Sequence, residues 1–263
     1  MKLVYTHFQK RGGHSPPYNP AIKDGETMDI ADLREDVYWA NMELQSRGLV
    51  LYTWGNASGI DRKKGIVAIK PSGMAYEELK PELIVLVDLS GKVLEGDLKP
   101  SSDTPTHIEL YKAFPEIGGV VHTHSAHATA WAQAMEPIPC FGTTHADHFN
   151  GEVPVTQALT DVEIAADYEA ATGRSIVRAF RDKGKDYRAV PAVLCANHGP
   201  FTWGETPDKA VYTAVVLEEV ARIALMTRAI SPDCAPVKDK LLEKHFQRKH
   251  GPNAYYGQGG EHA

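Results

Sequence analysis

The tightest constraint on this chain is that its strand signals come as hairpins rather than as strand–helix–strand units. LIVLVDLSGKVLEG carries two apolar runs around Ser90-Gly91, which is a hairpin signature. LVLYTWGNASGIDRKKGIVAIKPSG reads as a strand, a Gly-rich loop, a hairpin turn and a second strand. Parallel strands would need long, usually helical crossovers, and no regular series of them is present. The expected fold is one α/β domain with a mixed or antiparallel sheet flanked by helices, and not a Rossmann fold or a barrel.

Helical periods occupy much of the remainder. Leu33, Val37, Ala40 and Leu44 recur at helical spacing before Gly48. Pro105 suits the first turn of TPTHIELYKAF. GGVVHTHS is a short strand, and SAHATAWAQAM is a helix directly after it. Thr160 and Glu163 form a capping box for a helix through about Thr172, and RSIVRAFRDKG is a second helical stretch after Gly173. AVLCANHGPFTWG is a strand running into a turn. Thr206-Pro207 caps a long helix closed by Ser231-Pro232, and VKDKLLEKHFQRKHG is the last helix. Residues 1–28, rich in Gly and Pro, read as a poorly ordered extension. Residues 29–258 read as the domain, and 259–263 as a short C-terminal extension.

Composition excludes several classes. At 43% hydrophobic and 24% charged residues, the chain is neither collagen-like nor wholly disordered. No apolar run is long enough to span a membrane, and no signal-peptide core is visible. The net charge of −6, with no basic block, argues against nucleic-acid binding. Cys140, Cys195 and Cys234 are scattered, so they read as buried or idle thiols of a cytoplasmic protein.

The one excess is histidine, with 12 in the chain. His107, His122, His124, His127, His145 and His148 crowd one region. His122 and His124 are two apart at the end of a strand, which puts both side chains on one face. His198 follows another strand, in CANHGPF. Asp103, in KPSSDTPTH, precedes a helix. Read singly, these are surface histidines, a turn histidine and a helix N-cap. Together they offer three nitrogens and a carboxylate, a set suited to Zn²⁺. His127 reads as facing solvent or a supporting position. The polar loops TWGNASG, KPSG and KPSS supply glycines and hydroxyls that form simple turns or an anion nest, and none matches a P-loop.

WGNASG, IKPSG, KPSSDTPTH, GGVVHTHS, GTTHAD, NHGPF and RKHG…AYYGQ occur in this order and spacing across 33–258. Together they resemble the L-ribulose-5-phosphate 4-epimerase family of the class II aldolase/adducin group. The resemblance implies a three-layer α/β/α fold with a central, mostly antiparallel sheet. It implies a homotetramer with active sites between subunits and one Zn²⁺ per subunit, with Mn²⁺ or Co²⁺ as substitutes. It also implies an epimerase acting on a small pentulose phosphate in carbohydrate metabolism, whether of arabinose, ascorbate or another sugar; the charge and the apolar-run lengths argue against nucleic acid and membrane as partners. L-Ribulose 5-phosphate and D-xylulose 5-phosphate would be interconverted by retro-aldol cleavage of C3–C4.

By position, Asp103, His122, His124 and His198 match the family's metal ligands. Gly55, Asn56, Ser72, Gly73, Ser101 and Ser102 match its substrate and phosphate loops. Asp147 and Tyr256 match its acid/base pair, the tyrosine reaching a neighbouring subunit. Lys70, His145, His245 and Arg248 lie in matching segments as secondary candidates. Two rivals remain. One is a class II sugar-phosphate aldolase, in which Glu stands at the position of Asp103. The other is an adducin-like interaction module, which would lack the metal set.

Overall fold

The structure is a computed structural model and describes residues 29–256. The expectations for 1–28 and for the residues after 256 lie outside the described residues. Helix α1 is Ile30–Ser46. Strands β1 (Asn56–Asp61), β2 (Ile66–Ile69), β3 (Val85–Asp88) and β4 (Val93–Glu95) follow as successive antiparallel neighbours. Then come α2 (Thr104–Ala113), β5 (Gly119–His122), α3 (Ala126–Ala134), the short α4 (Thr143–Ala146) and α5 (Asp161–Lys183). Strands β6 (Ala192–Leu194) and β7 (Pro200–Gly204), and helices α6 (Pro207–Ile230) and α7 (Asp239–His250), complete the order. The seven strands form one sheet in the order β4-β3-β2-β1-β5-β7-β6, and every neighbouring pair is antiparallel.

Helices cover both faces of this sheet, which gives three layers. On one face Ala57, Val121, Ala68 and Leu86 meet α1 and the first half of α6, through Leu33, Val37, Leu44, Val211 and Ala214. On the other, Ile60, Val67, Val87 and Val120 meet α2 and α5 through Ile108, Tyr111, Ile176 and Phe180. Alternate residues of one strand thus serve opposite layers. Phe114, Phe180 and Trp203 close the second layer, with ring centroids 5.3 to 5.8 Å apart. The Trp203 indole N–H donates to the Tyr187 carbonyl at 2.8 Å. Two capping signals of the sequence are used: Thr160 and Glu163 cap reciprocally, and Thr206 accepts from the Lys209 amide; Asp29 also accepts from the Ala31 amide at the start of α1.

Three local expectations are corrected. The expected Gly-rich loop TWGNASG runs into strand β1, which begins at Asn56 and is buried throughout, whereas the apolar LVLYT before it is loop. Leu51 and Tyr52 are exposed there, and Tyr52 has a left-handed φ of 54°. Small side chains make β1 possible, because helices press on it. A Cβ on Gly59 would lie 2.9 Å from Pro207 and 3.0 Å from Val37.

The second correction concerns AVLCANHGPFTWG, which is two strands. β6 and β7 form a hairpin whose turn holds Asn197 at φ 60° and His198. Asparagine tolerates that backbone better than most residues.

The third is the helix break placed at Gly173. α5 is continuous there and departs from helical geometry at Asp167 instead. Gly173 is the crossing point with α2: a Cβ would lie 2.6 Å from the Glu109 Cβ and 3.0 Å from the Thr106 carbonyl oxygen. In an isolated helix Gly→Ala is stabilising by roughly 1 kcal/mol. Here the added methyl must push two helices apart. Gly173→Ala is therefore expected to lower the unfolding free energy by about 1–3 kcal/mol in urea titrations. An unchanged or raised midpoint would contradict the crossing.

Candidate metal centre and active site

β5 runs between β1 and β7, antiparallel to both, so the end of β5 meets the beginnings of its neighbours at one end of the sheet. Asn56 of β1 and Phe201 of β7 both pair with His122. His124 is two residues past β5, and His198 is two residues before β7. The three imidazoles are thereby gathered, with their candidate ligand atoms within 4.8 Å of one another. The Nε2 atoms of His122 and His124 are 3.0 Å apart.

The surroundings prepare these rings for a cation. His122 Nδ1 lies 2.9 Å from the Pro200 carbonyl oxygen, so Nδ1–H donates there and Nε2 keeps its lone pair for a metal. Phe201 stacks on the same ring at 4.2 Å. Burial, and then the neighbouring histidines, push His198 down to about 4. Burial and His122 lower His124 as well. Neutral imidazole is the ligating form. Three nitrogen donors of this kind fit a borderline divalent cation such as zinc.

Asp103 stands beside this group but is not among the clustered ligand atoms. Although it heads α2, its side chain caps nothing. Its Oδ2 instead accepts from Asn56 Nδ2 at 2.7 Å. Burial acts to raise its pKa, but His122, His107 and the Asn56 bond outweigh burial and hold the carboxyl below the usual range.

The polar loops converge here. Ser72 N–H donates to the Lys99 carbonyl, and Ser101 N–H to the Lys70 carbonyl, which lays the KPSG and KPSS loops side by side. Asn56 Nδ2 also reaches Ser101 Oγ at 3.1 Å. Ser72, Gly73 and Ser102 face solvent at this rim. Gly55 adjoins Asn56, and its carbonyl accepts from the Tyr76 hydroxyl. Lys70 behaves differently. It is buried, its ammonium donates to the Met74 carbonyl at 2.6 Å, and it lies over the Tyr76 ring.

A second cluster surrounds Asp147. Arg248 grips its carboxylate in bidentate fashion, with Nε at 2.9 Å and Nη2 at 2.6 Å, and His245 Nδ1 is 3.0 Å away. Burial works to raise the Asp147 pKa, but the hydrogen bonds from Arg248 and His245 overcome it and hold the group below its ordinary range. The Arg248 guanidinium also lies 4.9 Å from the Tyr256 ring centre, so Tyr256 belongs to this group and is itself exposed. His145 is tied to the Gly151 carbonyl at 2.8 Å and is buried. Among the described residues no recorded hydrogen bond, ion pair or ring contact joins this cluster to the three histidines.

Several contacting residues carry no signal that the sequence reading used. Tyr168, directly after the kink in α5, places its hydroxyl 3.4 Å from His198 Nδ1. Glu218, deep in α6, accepts from the amides of His127 and Ala128 at 2.9 and 3.0 Å and from His127 Nδ1 at 2.7 Å. It caps α3 from another helix, just after His124, and His127 is held rather than left to solvent. Nothing local in the sequence signals Glu218. Ser58, His107 and Tyr111 form a buried chain of hydrogen bonds. The spacing of His107 and Tyr111, one helical turn apart, is the available clue.

The family described as the class II aldolase and adducin N-terminal domain matches residues 35–225, and the chain belongs to that family. It is 53% identical over 226 residues to the L-ribulose-5-phosphate 4-epimerases UlaF of Salmonella paratyphi A and Salmonella typhi, covering 86% of this chain and 98% of each relative. Among solved structures it is similar to an L-fuculose 1-phosphate aldolase, with a TM-score of 0.71, 26% identity and coverage of 85% of this chain and 99% of that one. It is also similar to the L-fuculose-1-phosphate aldolase of Thermus thermophilus, with a TM-score of 0.60, 28% identity and coverage of 79% and 100%.

The environment of Lys70 yields a test of the loop region. Burial pushes its pKa down to about 8, from an ordinary value of about 10.4. Folding therefore releases a proton between those two values. The burial penalty on the charged form is present at neutral pH and is relieved as pH rises through the folded pKa. Relative to Lys70→Met, the parent chain is expected to gain about 2 kcal/mol of unfolding free energy between roughly pH 7.5 and 10. Parallel pH profiles for the two proteins would show that the lysine is solvated.

Proposed function

We propose that this chain is a metal-dependent L-ribulose-5-phosphate 4-epimerase that interconverts L-ribulose 5-phosphate and D-xylulose 5-phosphate. The observation that carries this reading is the cluster of His122, His124 and His198, flanked by Asp103, at the point where two serine loops are paired. The 53% identity to epimerases over nearly their whole length supports the same substrate.

The chemistry accounts for these parts. C4 of a 2-ketopentose is beta to the carbonyl, so its hydrogen is not acidic. C3 is alpha, so breaking C3–C4 leaves electrons that delocalise into the C2 carbonyl as an enediolate. His122, His124 and His198, with Asp103 beside them, would hold a zinc ion, which would supply Lewis-acid polarisation to the ketose when bound. The hydroxyls of Ser72, Ser101 and Ser102, with Asn56, hold the phosphate end while the aldehyde fragment turns over. Each face of that fragment needs a group to take or return the proton on the C4 oxygen. Asp147 and Tyr256 are the two candidates. Asp147 is held ionised by Arg248 and His245, which makes it the acceptor, and Tyr256 carries a phenolic proton to donate.

Among the described residues the two clusters are not joined, and a homotetramer whose sites form between subunits would bring them together. The Asp147, His245, Arg248 and Tyr256 group of one subunit then faces the histidines of the next. Likeness to the fuculose-phosphate aldolases favours a second reading, cleavage with release of free aldehyde.

A coupled assay of L-ribulose 5-phosphate conversion distinguishes the two, since net aldehyde release from a ketose 1-phosphate would support the aldolase. In the same assay Asp147→Asn is expected to lose about 10²–10⁴-fold in kcat while keeping its zinc content. Loss of zinc in parallel would make Asp147 a structural or ligating group. Mixed oligomers of Asp147→Asn and His122→Asn subunits are expected to recover activity that neither parent has. Absence of recovery in verified mixed oligomers would refute sites shared between subunits.

A further inference from the structure

His107 is wholly buried beneath the site, and its hydrogen bonds have a direction. Tyr111 OH lies 2.8 Å from Ser58 Oγ, and Ser58 Oγ lies 2.7 Å from His107 Nδ1. Either order leaves one buried proton unpaired, on Tyr111 if His107 Nδ1 donates, or on His107 Nε2 if Tyr111 donates to Ser58 and Ser58 to Nδ1. The Asp103 carboxylate acting on this ring favours the second order, which turns a donor rather than a lone pair outward from the chain. His107 Nδ1 is thus the acceptor, and the ring carries its hydrogen on Nε2.

That Nε2–H is buried and has no partner among the described residues. An uncommitted buried donor is costly and calls for a reason. The charged groups that act on His107 are Asp103, one helical turn before it on α2, and His122. Asp103 is the carboxylate that flanks the three-histidine cluster without joining it. The nearby Asn56, which holds one Asp103 oxygen, has its own Oδ1 buried without a partner. Of these two atoms only the His107 Nε2–H can donate to the carboxylate, since Asn56 Oδ1 is itself an acceptor.

We infer that His107 is a positioning residue for Asp103: its Nε2–H, at the end of the Tyr111–Ser58 chain, is the donor that holds Asp103 in its metal-binding orientation. The inference rests on the metal-centre reading proposed above and deepens it. The serine and tyrosine act through His107 by fixing which nitrogen bears the hydrogen, as supporting groups around ligands commonly do.

The test uses the full chain, purified and loaded with zinc or cobalt(II), with metal affinity read by chelator competition and ligand geometry by the cobalt absorption spectrum. His107→Phe is expected to bind zinc about 10–100-fold more weakly and to shift the cobalt spectrum. His107→Gln, which restores an N–H near the same place, is expected to recover most of both. In an Asp103→Asn background, His107→Phe is expected to cause no further loss. Unchanged affinity and spectrum in His107→Phe, or an equal further loss without Asp103, would overturn the inference. Should His107→Phe fail to fold, Ser58→Ala carries the test. It is expected to act in the same direction with smaller size, and wild-type affinity in that variant overturns the inference equally. A parent chain that binds no metal at all would instead overturn the metal-centre reading, which keeps the two failures apart.

Discussion

The site depends on one constraint, the antiparallel pairing of β5 with both β1 and β7. Antiparallel neighbours begin where the central strand ends. His122 closes β5, Asn56 opens β1 opposite it, and the turn carrying His198 leads into β7. A parallel neighbour on either side would have carried one of these residues to the far end of the sheet. The register is protected from both faces, because Ala57 and Val121 belong to one helical layer and Ser58 and Val120 to the other. A slip of one residue would exchange those faces and would move His122 away from Phe201 and Pro200.

Much of this arrangement is legible in the sequence. The spacing of His122 and His124 at a strand end, the capping signals and the long terminal helices are local patterns, and local patterns survive folding. The misreadings share a cause. NASG reads as a loop because small polar residues favour turns, but tertiary packing decides otherwise, since only small side chains let α1 and Pro207 approach. Gly173 reads as a break for the same reason and is instead a contact surface. The β6–β7 hairpin is hidden because its turn, CANHG, is as apolar at its start as the strands. Glu218 and Tyr168 touch the site from helices distant in sequence, and no pattern within their own segments reports that.

The two charged clusters are built on opposite electrostatic principles. In the histidine cluster burial and proximity suppress positive charge on His124 and His198 and leave lone pairs directed to a common space. Around Asp147 a guanidinium and an imidazole stabilise negative charge. One region thus offers lone pairs to a cation, and the other holds its anion in a ready-made clamp. Their separation within the described chain fits a design in which neither can act alone.

The margins of the sheet have a consequence for how such chains coexist at high concentration. β4 has three residues and a register irregularity against β3. β6 also has three, and its outer side is engaged by Val155 and by the Thr156 amide, which donates to the Leu194 carbonyl. A sheet ended this way presents no long run of open backbone donors and acceptors for another chain to extend. Association between copies is thereby left to helical and loop surfaces, where side chains, rather than indiscriminate backbone pairing, decide which partner is accepted.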